Sequence, residues 1–214
     1  MTLRTTSIAA VVVVSAWPAA AHRLDEYLQG TIISVEKDRI WAQMTLTPGV
    51  AVFSWLFADI DRNGDGVITE AEQQDYAARV LRDLSLSIDG HRLTPRLLSV
   101  QFPDTGEMKE GRGEIQLDFS AALPPGGRNR KLILENRHQP KISVYQVNCL
   151  VPRDPSIQIE GQFRNYTQSS YRLEYQQSGV SDPLLSSLWP GPLVWLAGIA
   201  FLLLTRLLWC RRRS

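Results

Sequence analysis

The sequence predicts a mainly β protein, an antiparallel β-sandwich that carries an inserted helix–loop–helix and is followed by one C-terminal transmembrane helix. Short segments with alternating apolar residues, separated by turn residues, recur about every ten to fifteen residues between positions 26 and 176, as in many sandwiches. Residues 48–84 break that rhythm, because their apolar side chains recur at helical spacing on both sides of an acidic loop. Residues 189–204 contain no charged side chain, which favours a membrane span.

The predicted strands occupy most of the chain between its two ends. Asp89 and Gly90 form the clearest hairpin signal, because both central positions of such a turn favour residues that tolerate positive φ. The remaining turns are rich in Pro, Gly, Asn and Asp. Strands are expected within the segments 26–36, 39–47, 84–93 as a hairpin, 96–102, 113–123, 130–137, 141–151, 156–163 and 170–176.

Residues 48–84 are predicted to form two helices joined by a loop. Thr47 is placed to cap the first helix, and Pro48 suits its first turn. Each helix has an apolar face that must pack against the strands. These faces comprise Val52, Trp55, Leu56 and Ile60 in the first helix, and Tyr76, Val80, Leu81 and Leu84 in the second.

The loop at residues 61–72 supplies oxygen atoms at the spacing that a hard divalent cation requires. Calcium takes six to eight oxygen ligands, and a twelve-residue loop provides them from positions 1, 3, 5, 7, 9 and 12. Gly66 stands at position 6, where the sharp turn needs glycine, and Ile68 at position 8 is expected to pack inward. The six ligand positions hold Asp61, Asn63, Asp65, Val67 through its carbonyl, Thr69 directly or through a water, and Glu72 as a bidentate ligand.

This loop and its two helices resemble the EF-hand family over about thirty residues. The resemblance implies bound Ca2+, which is favoured over Mg2+ because magnesium demands tighter octahedral geometry. The sequence contains only one such loop, whereas sensor loops usually work in pairs, so we expect calcium to be structural. Thr69 and Glu72 also fit a helix capping box, which needs no metal. A metal-free loop is therefore the alternative.

The first 21 residues have the pattern of a cleaved signal peptide. One arginine, Arg4, precedes a short apolar run that is too short to span a bilayer. Ala19 and Ala21 provide small residues at the −3 and −1 positions of a cleavage site. The mature protein is then expected to begin at His22, with residues 22–180 forming one extracytoplasmic domain.

The C-terminal residues are predicted to anchor that domain in a lipid bilayer. Residues 181–188 form a linker, residues 189–210 a transmembrane helix, and residues 211–214 a basic tail that marks the cytoplasmic side. The chain is thus expected to be a single-pass membrane protein with its domain on the periplasmic side. A buried C-terminal helix and a sorting tail that is removed later are the alternatives.

Charge and cysteine content restrict the possible partners. Residues 1–21 and 189–214 contain five arginines and no acidic residue, so the remaining 18 basic and 22 acidic residues give positions 22–188 a formal charge of −4. An acidic domain argues against nucleic acid as a partner. Cys149 and Cys210 are expected on opposite sides of the membrane, which excludes a disulfide between them.

The order of these parts resembles the extracytoplasmic N-terminal domain of NicO-type nickel/cobalt exporters and related uncharacterised bacterial membrane proteins. The resemblance rests on "AHRLDEYLQ", on the stretch "DRNGDGVITEAEQQDYAARVLRDLSLSIDGHRL" and on "LDFSAALP", and covers residues 21–179. A polytopic transporter domain is missing from this chain, so the resemblance implies the domain type and an association with a separate membrane transporter or other membrane protein. It does not imply transport by this chain alone.

Two alternatives to an accessory or partner-binding module remain open. After cleavage, the α-amine and imidazole of His22 are able to chelate nickel or copper, and only His91 and His138 offer further imidazoles. A solvated His22 is the simpler interpretation.

The other alternative is an enzyme whose site is assembled from scattered residues. The sequence contains no nucleophile-elbow, zinc-protease, phosphate-loop or Cys-x-x-Cys motif, so we expect no enzyme. Cys149 is expected to be a small buried hydrophobe.

Overall fold

The structure is a computed structural model, and it describes residues 25–178. The predicted signal peptide, the linker, the transmembrane helix and the basic tail lie outside the described residues. Between residues 25 and 178, no helix combines the length and the apolar composition that a membrane span requires.

The described chain is mainly β, with ten strands in two five-stranded sheets. The strands are β1 Tyr27–Val35, β2 Arg39–Pro48, β3 Leu84–Ile88, β4 His91–Leu93, β5 Arg96–Gln101, β6 Ile115–Ala122, β7 Asn129–Asn136, β8 Ser143–Cys149, β9 Ile157–Arg164 and β10 Ser170–Gln177. The first sheet has the order β5-β6-β2-β1-β8, and the second has the order β4-β3-β7-β10-β9. Every predicted strand segment overlaps at least one of these strands, and the hairpin predicted at Asp89-Gly90 joins β3 to β4.

Strand pairing is antiparallel in both sheets with one exception. β8 lies parallel to β1, with Tyr27 opposite Ser143 and Ile33 opposite Cys149. The chain reaches β8 from β7, which belongs to the second sheet. The last residue of β7, Asn136, donates a hydrogen bond to Gln29, which shows that β7 ends near the start of β1. β8 therefore enters the first sheet from the same end as β1. Alternating burial within each strand does not encode this crossover.

The helix–loop–helix lies between β2 and β3, as predicted, with α1 at Val50–Ile60 and α2 at Glu70–Asp83. Its start differs from the prediction. Thr47 pairs with Leu28 in the β1–β2 ladder, so β2 continues to Pro48. Gly49 is the residue that precedes α1, and no side chain caps that helix. Backbone pairing in the sheet has prevailed over the capping preference of threonine.

Two local features were not predicted correctly. Trp55 of α1 is 53% exposed, and Phe53 is buried in its place. A third helix, α3 at Thr105–Lys109, follows β5, where the sequence indicated only a turn. Asp104 caps this helix by accepting a hydrogen bond from the backbone N–H of Gly106. A helix of five residues is too short to show an apolar period.

Both sheets and both long helices contribute to one hydrophobic core. Ile40 and Met44 of the first sheet, Leu86 and Leu132 of the second, and Leu56 of α1 belong to the same buried cluster. Two sheets that share a core in this way are consistent with a β-sandwich. The apolar faces of α1 and α2 thus pack where the sequence required them to pack.

Candidate metal centre

The backbone of the loop between α1 and α2 turns sharply at two glycines. Gly64 has φ of 71° and Gly66 has φ of 83°. L-residues with a side chain rarely adopt these values, so glycine is required by the backbone. Nothing lies within 4 Å of the position that a Cβ on Gly66 would take. The requirement is therefore conformational, as the sequence predicted for position 6 of the loop.

Asp61 is the buried residue of the predicted ligand set. Its side chain is only 6% exposed, and its two carboxylate oxygens accept hydrogen bonds of 2.8 Å from the backbone N–H groups of Gly64 and Gly66. No lysine or arginine among residues 25–178 forms an ion pair with it. By contrast, Arg130, which is equally buried, pairs with Asp89 at 2.7 Å. A buried charge without a counter-charge is unfavourable unless a cation compensates it.

Asn63 and Asp65 stabilise the middle of the loop. The side-chain carbonyl oxygen of Asn63 accepts from the backbone N–H of Asp65 at 2.9 Å, and Asp65 accepts from the backbone N–H of Val67 at 2.8 Å. The Asn63 amide also donates to the Asp65 carboxylate at 2.9 Å. Val67 is 61% exposed, and Ile68 packs against the core. The inward position of Ile68 is as predicted.

Glu72 links the two ends of the loop. It accepts from the backbone N–H of Arg62 at 3.0 Å, and from the backbone N–H and hydroxyl of Thr69 at 2.9 and 2.7 Å. The hydroxyl of Thr69 accepts in turn from the backbone N–H of Glu72, which completes a capping box at the start of α2. The hydrogen bonds from the backbone and side chain of Thr69 lower the pKa of Glu72. These two residues therefore have a structural role that is independent of metal.

The donor set fits a hard cation in its chemistry. All six predicted ligands present carboxylate, amide, hydroxyl or carbonyl oxygen, and calcium prefers such oxygen ligands. A formed metal centre is not seen, because no three side chains of the types His, Cys, Asp or Glu are grouped closely enough to hold a metal within residues 25–178. The described loop thus has the required atoms and backbone turns, with Glu72 bonded to the loop itself.

A second polar cluster, which we call the Tyr–His–Asp network, lies beneath α2 and comprises Tyr27, Tyr76, His138 and Asp83. The hydroxyls of Tyr27 and Tyr76 are 2.6 Å apart, and the Tyr76 hydroxyl is 3.0 Å from Nε2 of His138. Nδ1 of His138 is 2.8 Å from the Asp83 carboxylate. Tyr27, Tyr76 and His138 are buried, and Asp83 connects the chain of hydrogen bonds to solvent. The network fastens α2 to β1 and to the connection between β7 and β8.

The hydrogen bonds of the network favour the neutral form of His138. When Nδ1–H donates to Asp83, Nε2 accepts from Tyr76, and Tyr76 accepts from Tyr27, so every polar atom is satisfied. A proton on Nε2 would reverse this chain and leave the Tyr27 hydroxyl without an acceptor. Burial lowers the pKa of His138, although Asp83 opposes that shift. Burial also raises the pKa of Tyr27 and of Tyr76.

The backbone around His138 is also held in place by buried polar groups. Its carbonyl oxygen accepts hydrogen bonds from Gln29 at 3.0 Å, Tyr145 at 2.9 Å and Ser143 at 3.2 Å. Its N–H donates to the side chain of Asn136 at 2.9 Å. The connection between β7 and β8 is thus a fixed part of the core, which keeps the imidazole directed at α2.

Sequence reasoning did not find the Tyr–His–Asp network. Tyr76 was predicted to lie on an apolar face, and its hydroxyl went unexplained. The only available signal was that Tyr76 and Asp83 lie seven residues apart, on one face of the helix. Their partners lie 49 and 55 residues away along the chain, respectively. Such pairings follow from the sheet topology, which a single sequence does not encode.

The histidines and the cysteine considered as alternative sites do not form a common site within the described residues. His22 lies outside the described residues. Both ring nitrogens of His138 are already engaged, by Asp83 and Tyr76, and His91 is exposed at the β3–β4 hairpin. Cys149 is half-buried rather than fully buried, and burial raises its pKa to about 11, which disfavours a reactive thiolate.

Comparison with known proteins gives no relative. No protein-family model, no curated protein and no solved structure matches this chain. The geometry described above is therefore the basis for any statement on function.

Proposed function

We propose that this chain is a calcium-binding, membrane-anchored extracytoplasmic module in which calcium is structural and which serves as an accessory or partner-binding domain. The observation that carries the calcium part is the Asp61 carboxylate, which is buried, bonded only to backbone N–H groups and without an ion-pair partner in the described chain. The resemblance of the loop to an EF-hand belongs to this proposal. So does the association with a separate membrane protein.

The residues that would hold calcium are those of the loop, Asp61, Asn63, Asp65, Val67, Thr69 and Glu72. Calcium would supply positive charge to a segment whose acidic side chains Asp61, Asp65 and Glu72 accept hydrogen bonds only from uncharged groups of the loop itself. Its role is to stiffen the connection between α1 and α2. Because Ile68 packs against the hydrophobic core, stiffening the loop also holds the start of α2 on the sandwich.

A structural role agrees with how α2 is attached elsewhere. The Tyr–His–Asp network binds the middle and the end of α2 to the sheets through Tyr76 and Asp83. A sensor must release a helix when it binds calcium, but these buried contacts hold α2 in one position. The calcium loop and the network together would fasten both ends of the same helix.

The membrane part of the proposal follows from the charge pattern of the two ends. A cleavable signal before residue 22 and an uncharged run at 189–204, followed by arginines, would place the domain outside the cytoplasm on a single anchor. We propose no catalytic activity.

The test is a calcium titration of thermal stability with the full chain in lipid nanodiscs. For a dissociation constant of about 10⁻⁴–10⁻³ M, 10 mM calcium is expected to stabilise the domain by about 1.4–2.7 kcal/mol, or about 3–10 °C in Tm. Asp61→Asn should abolish this shift, because it removes the buried charge. Asp75→Asn removes an exposed carboxylate from α2 and should leave the shift intact.

An unchanged Tm with calcium in the wild-type chain would contradict the proposal. So would an equal shift in the Asp61→Asn chain. Titration with magnesium under the same conditions should give a smaller shift, because the loop offers too many ligands for an octahedral ion.

A further inference from the structure

A groove lies on one side of the sandwich, between the C-terminal half of α2 and the connection from β4 to β5. Its volume is about 500 Å³. The groove has an apolar floor and a rim of arginines, and no acidic residue lines it. The lining residues are Ala78, Leu81, Arg82, Leu84, Arg92, Leu93, Thr94, Pro95, Arg96 and Leu97.

The three arginines of the groove have no partners within the described chain. Arg82, Arg92 and Arg96 are exposed, and none of their side chains makes a hydrogen bond or an ion pair among residues 25–178. Most other arginines of the described chain pair with a carboxylate, as Arg79 does with Asp59. Arg82 lies in the last turn of α2, where a cation also suits the helix dipole, but Arg92 and Arg96 lie on strands. Three unpaired arginines around one groove favour an anionic occupant.

The groove is also bordered by two free sheet edges. β5 ends the first sheet and β4 ends the second, so neither pairs with a further strand of the described chain. The opposite side of the sandwich is closed, because side chains of β9 bond the free edge of β8. Arg164 donates to the carbonyl of Val147 at 2.8 Å, and Gln162 accepts from the N–H of Cys149 at 3.2 Å. On the groove side α2 packs beside β5, and no side chain of the described residues hydrogen-bonds the outer backbone edge of β4 or β5.

The floor of the groove adds apolar surface. Leu81 and Leu97 are partly exposed although they pack against the core, and Ala78 is exposed. An occupant that covers these three residues removes apolar area from water, which a small inorganic anion cannot do. Free backbone edges, an apolar floor and a cationic rim together match an extended polypeptide with alternating acidic and apolar residues.

We propose that this groove binds an acidic, partly apolar peptide segment of a partner protein in extended conformation. Residues 1–24 and 179–214 do not match this pattern, because the first segment contains no acidic residue and the second contains only Asp182. Nucleic acid is disfavoured by the formal charge of −4 on residues 22–188 and by the apolar floor. The proposal rests on the partner-binding part of the proposed function and names the chemistry of that partner.

The experiment measures peptide retention by the full chain in nanodiscs of neutral phosphatidylcholine. The probe is a hexapeptide library in which Asp or Glu alternates with Leu, Ile, Val or Phe. Two comparison libraries replace the acidic positions by Lys or Arg, or the apolar positions by Ser or Thr. Retained peptides are identified by mass spectrometry, and the affinity of an enriched peptide is then measured by fluorescence anisotropy.

The variant is the triple reversal R82E/R92E/R96E, and its matched control is K109E/K141E/R153E. The control changes the same net charge at three exposed cations that also lack ion pairs among the described residues. Because each exposed ion pair contributes a factor of about 2–5, the groove variant should bind an enriched peptide at least about tenfold more weakly. The control variant should change the affinity by less than about threefold. Melting curves check that both variants fold.

Enrichment of the acidic, apolar library by the wild-type chain, and its loss in the groove variant alone, supports the proposal. Equal retention of the acidic and basic libraries overturns it, as does equal weakening in the two variants. Equal binding of the library with Ser or Thr, or displacement by millimolar inorganic phosphate, assigns the groove to small anions instead and also overturns it. The calcium titration remains a separate readout, so a failed groove leaves the calcium proposal standing.

Discussion

The loop at residues 61–72 and the Tyr–His–Asp network both fasten α2, but they do so by different physics. Each side-chain hydrogen bond of the loop joins residues at most ten positions apart, and most of its side chains are exposed. The network joins residues 49, 62 and 55 positions apart, and three of its four side chains are buried. The loop is therefore a local structure that a cation can strengthen. The network is a tertiary structure whose strength depends on the complete pairing of buried polar groups.

The largest effect should follow from breaking the network at its centre. Tyr76→Phe leaves the Tyr27 hydroxyl and Nε2 of His138 without partners, and both are buried. Each unsatisfied buried group costs about 1–3 kcal/mol, so unfolding free energy should fall by about 2–4 kcal/mol. Chemical denaturation in EGTA and in calcium should give the same loss. Tyr166→Phe, at a fully exposed tyrosine, is the control and should be neutral.

If the loss from Tyr76→Phe were as small as that of the control, the network would not hold α2. If the loss appeared only in calcium, the loop and the network would be one cooperative unit rather than two independent attachments.

The contrast between the two regions explains what the sequence predicted. The loop follows from twelve consecutive residues, so its turn at Gly66, its capping box and the inward position of Ile68 were all predicted. The strands were predicted because one face of each sheet is buried, so apolar and polar side chains alternate along the sequence. The parallel pairing of β8 with β1 and the position of His138 depend on the order of strands, to which no local pattern responds. Trp55 was predicted to be buried and is exposed, because helical spacing identifies the apolar face of a helix but not where that face ends.

A smaller effect is expected from straining the loop backbone. Gly66→Ala places a Cβ at φ of 83°, where nothing contacts it, so the cost is conformational and about 1–2 kcal/mol. The loss should appear without calcium and should persist with it. The control is Gly30→Ala, at a strand position where the nearest atom to the new Cβ is 3.9 Å away. Equal stability of the two variants in denaturant titrations would show that the loop is not held in the described conformation.

Removing the cap of α2 should separate the metal-free role of the loop from its calcium role. Thr69→Ala removes the hydroxyl that accepts from the N–H of Glu72, which costs about 1 kcal/mol in EGTA. If Thr69 is also a ligand, the loss should be larger in calcium than in EGTA. Thr94→Ala, at an exposed threonine that makes no hydrogen bond in the described chain, is the control. An identical loss in both conditions would restrict Thr69 to capping.

The smallest effect should be the pH dependence of the network, since one group titrates and Asp83 opposes the effect of burial. The folded pKa of His138 lies below its unfolded value of about 6.5. Below that pH the unfolded chain binds more protons than the folded chain, so stability declines as pH falls toward the folded pKa. His138→Gln should remove this decline, whereas His91→Gln, at an exposed histidine, should retain it.

Carboxylates with lowered pKa, such as Glu72 and Asp154, lose their contribution to folding stability only at lower pH, below about 4.5. Denaturant titrations between pH 5 and 8 therefore isolate His138, and a decline that persists in His138→Gln would assign it to another group.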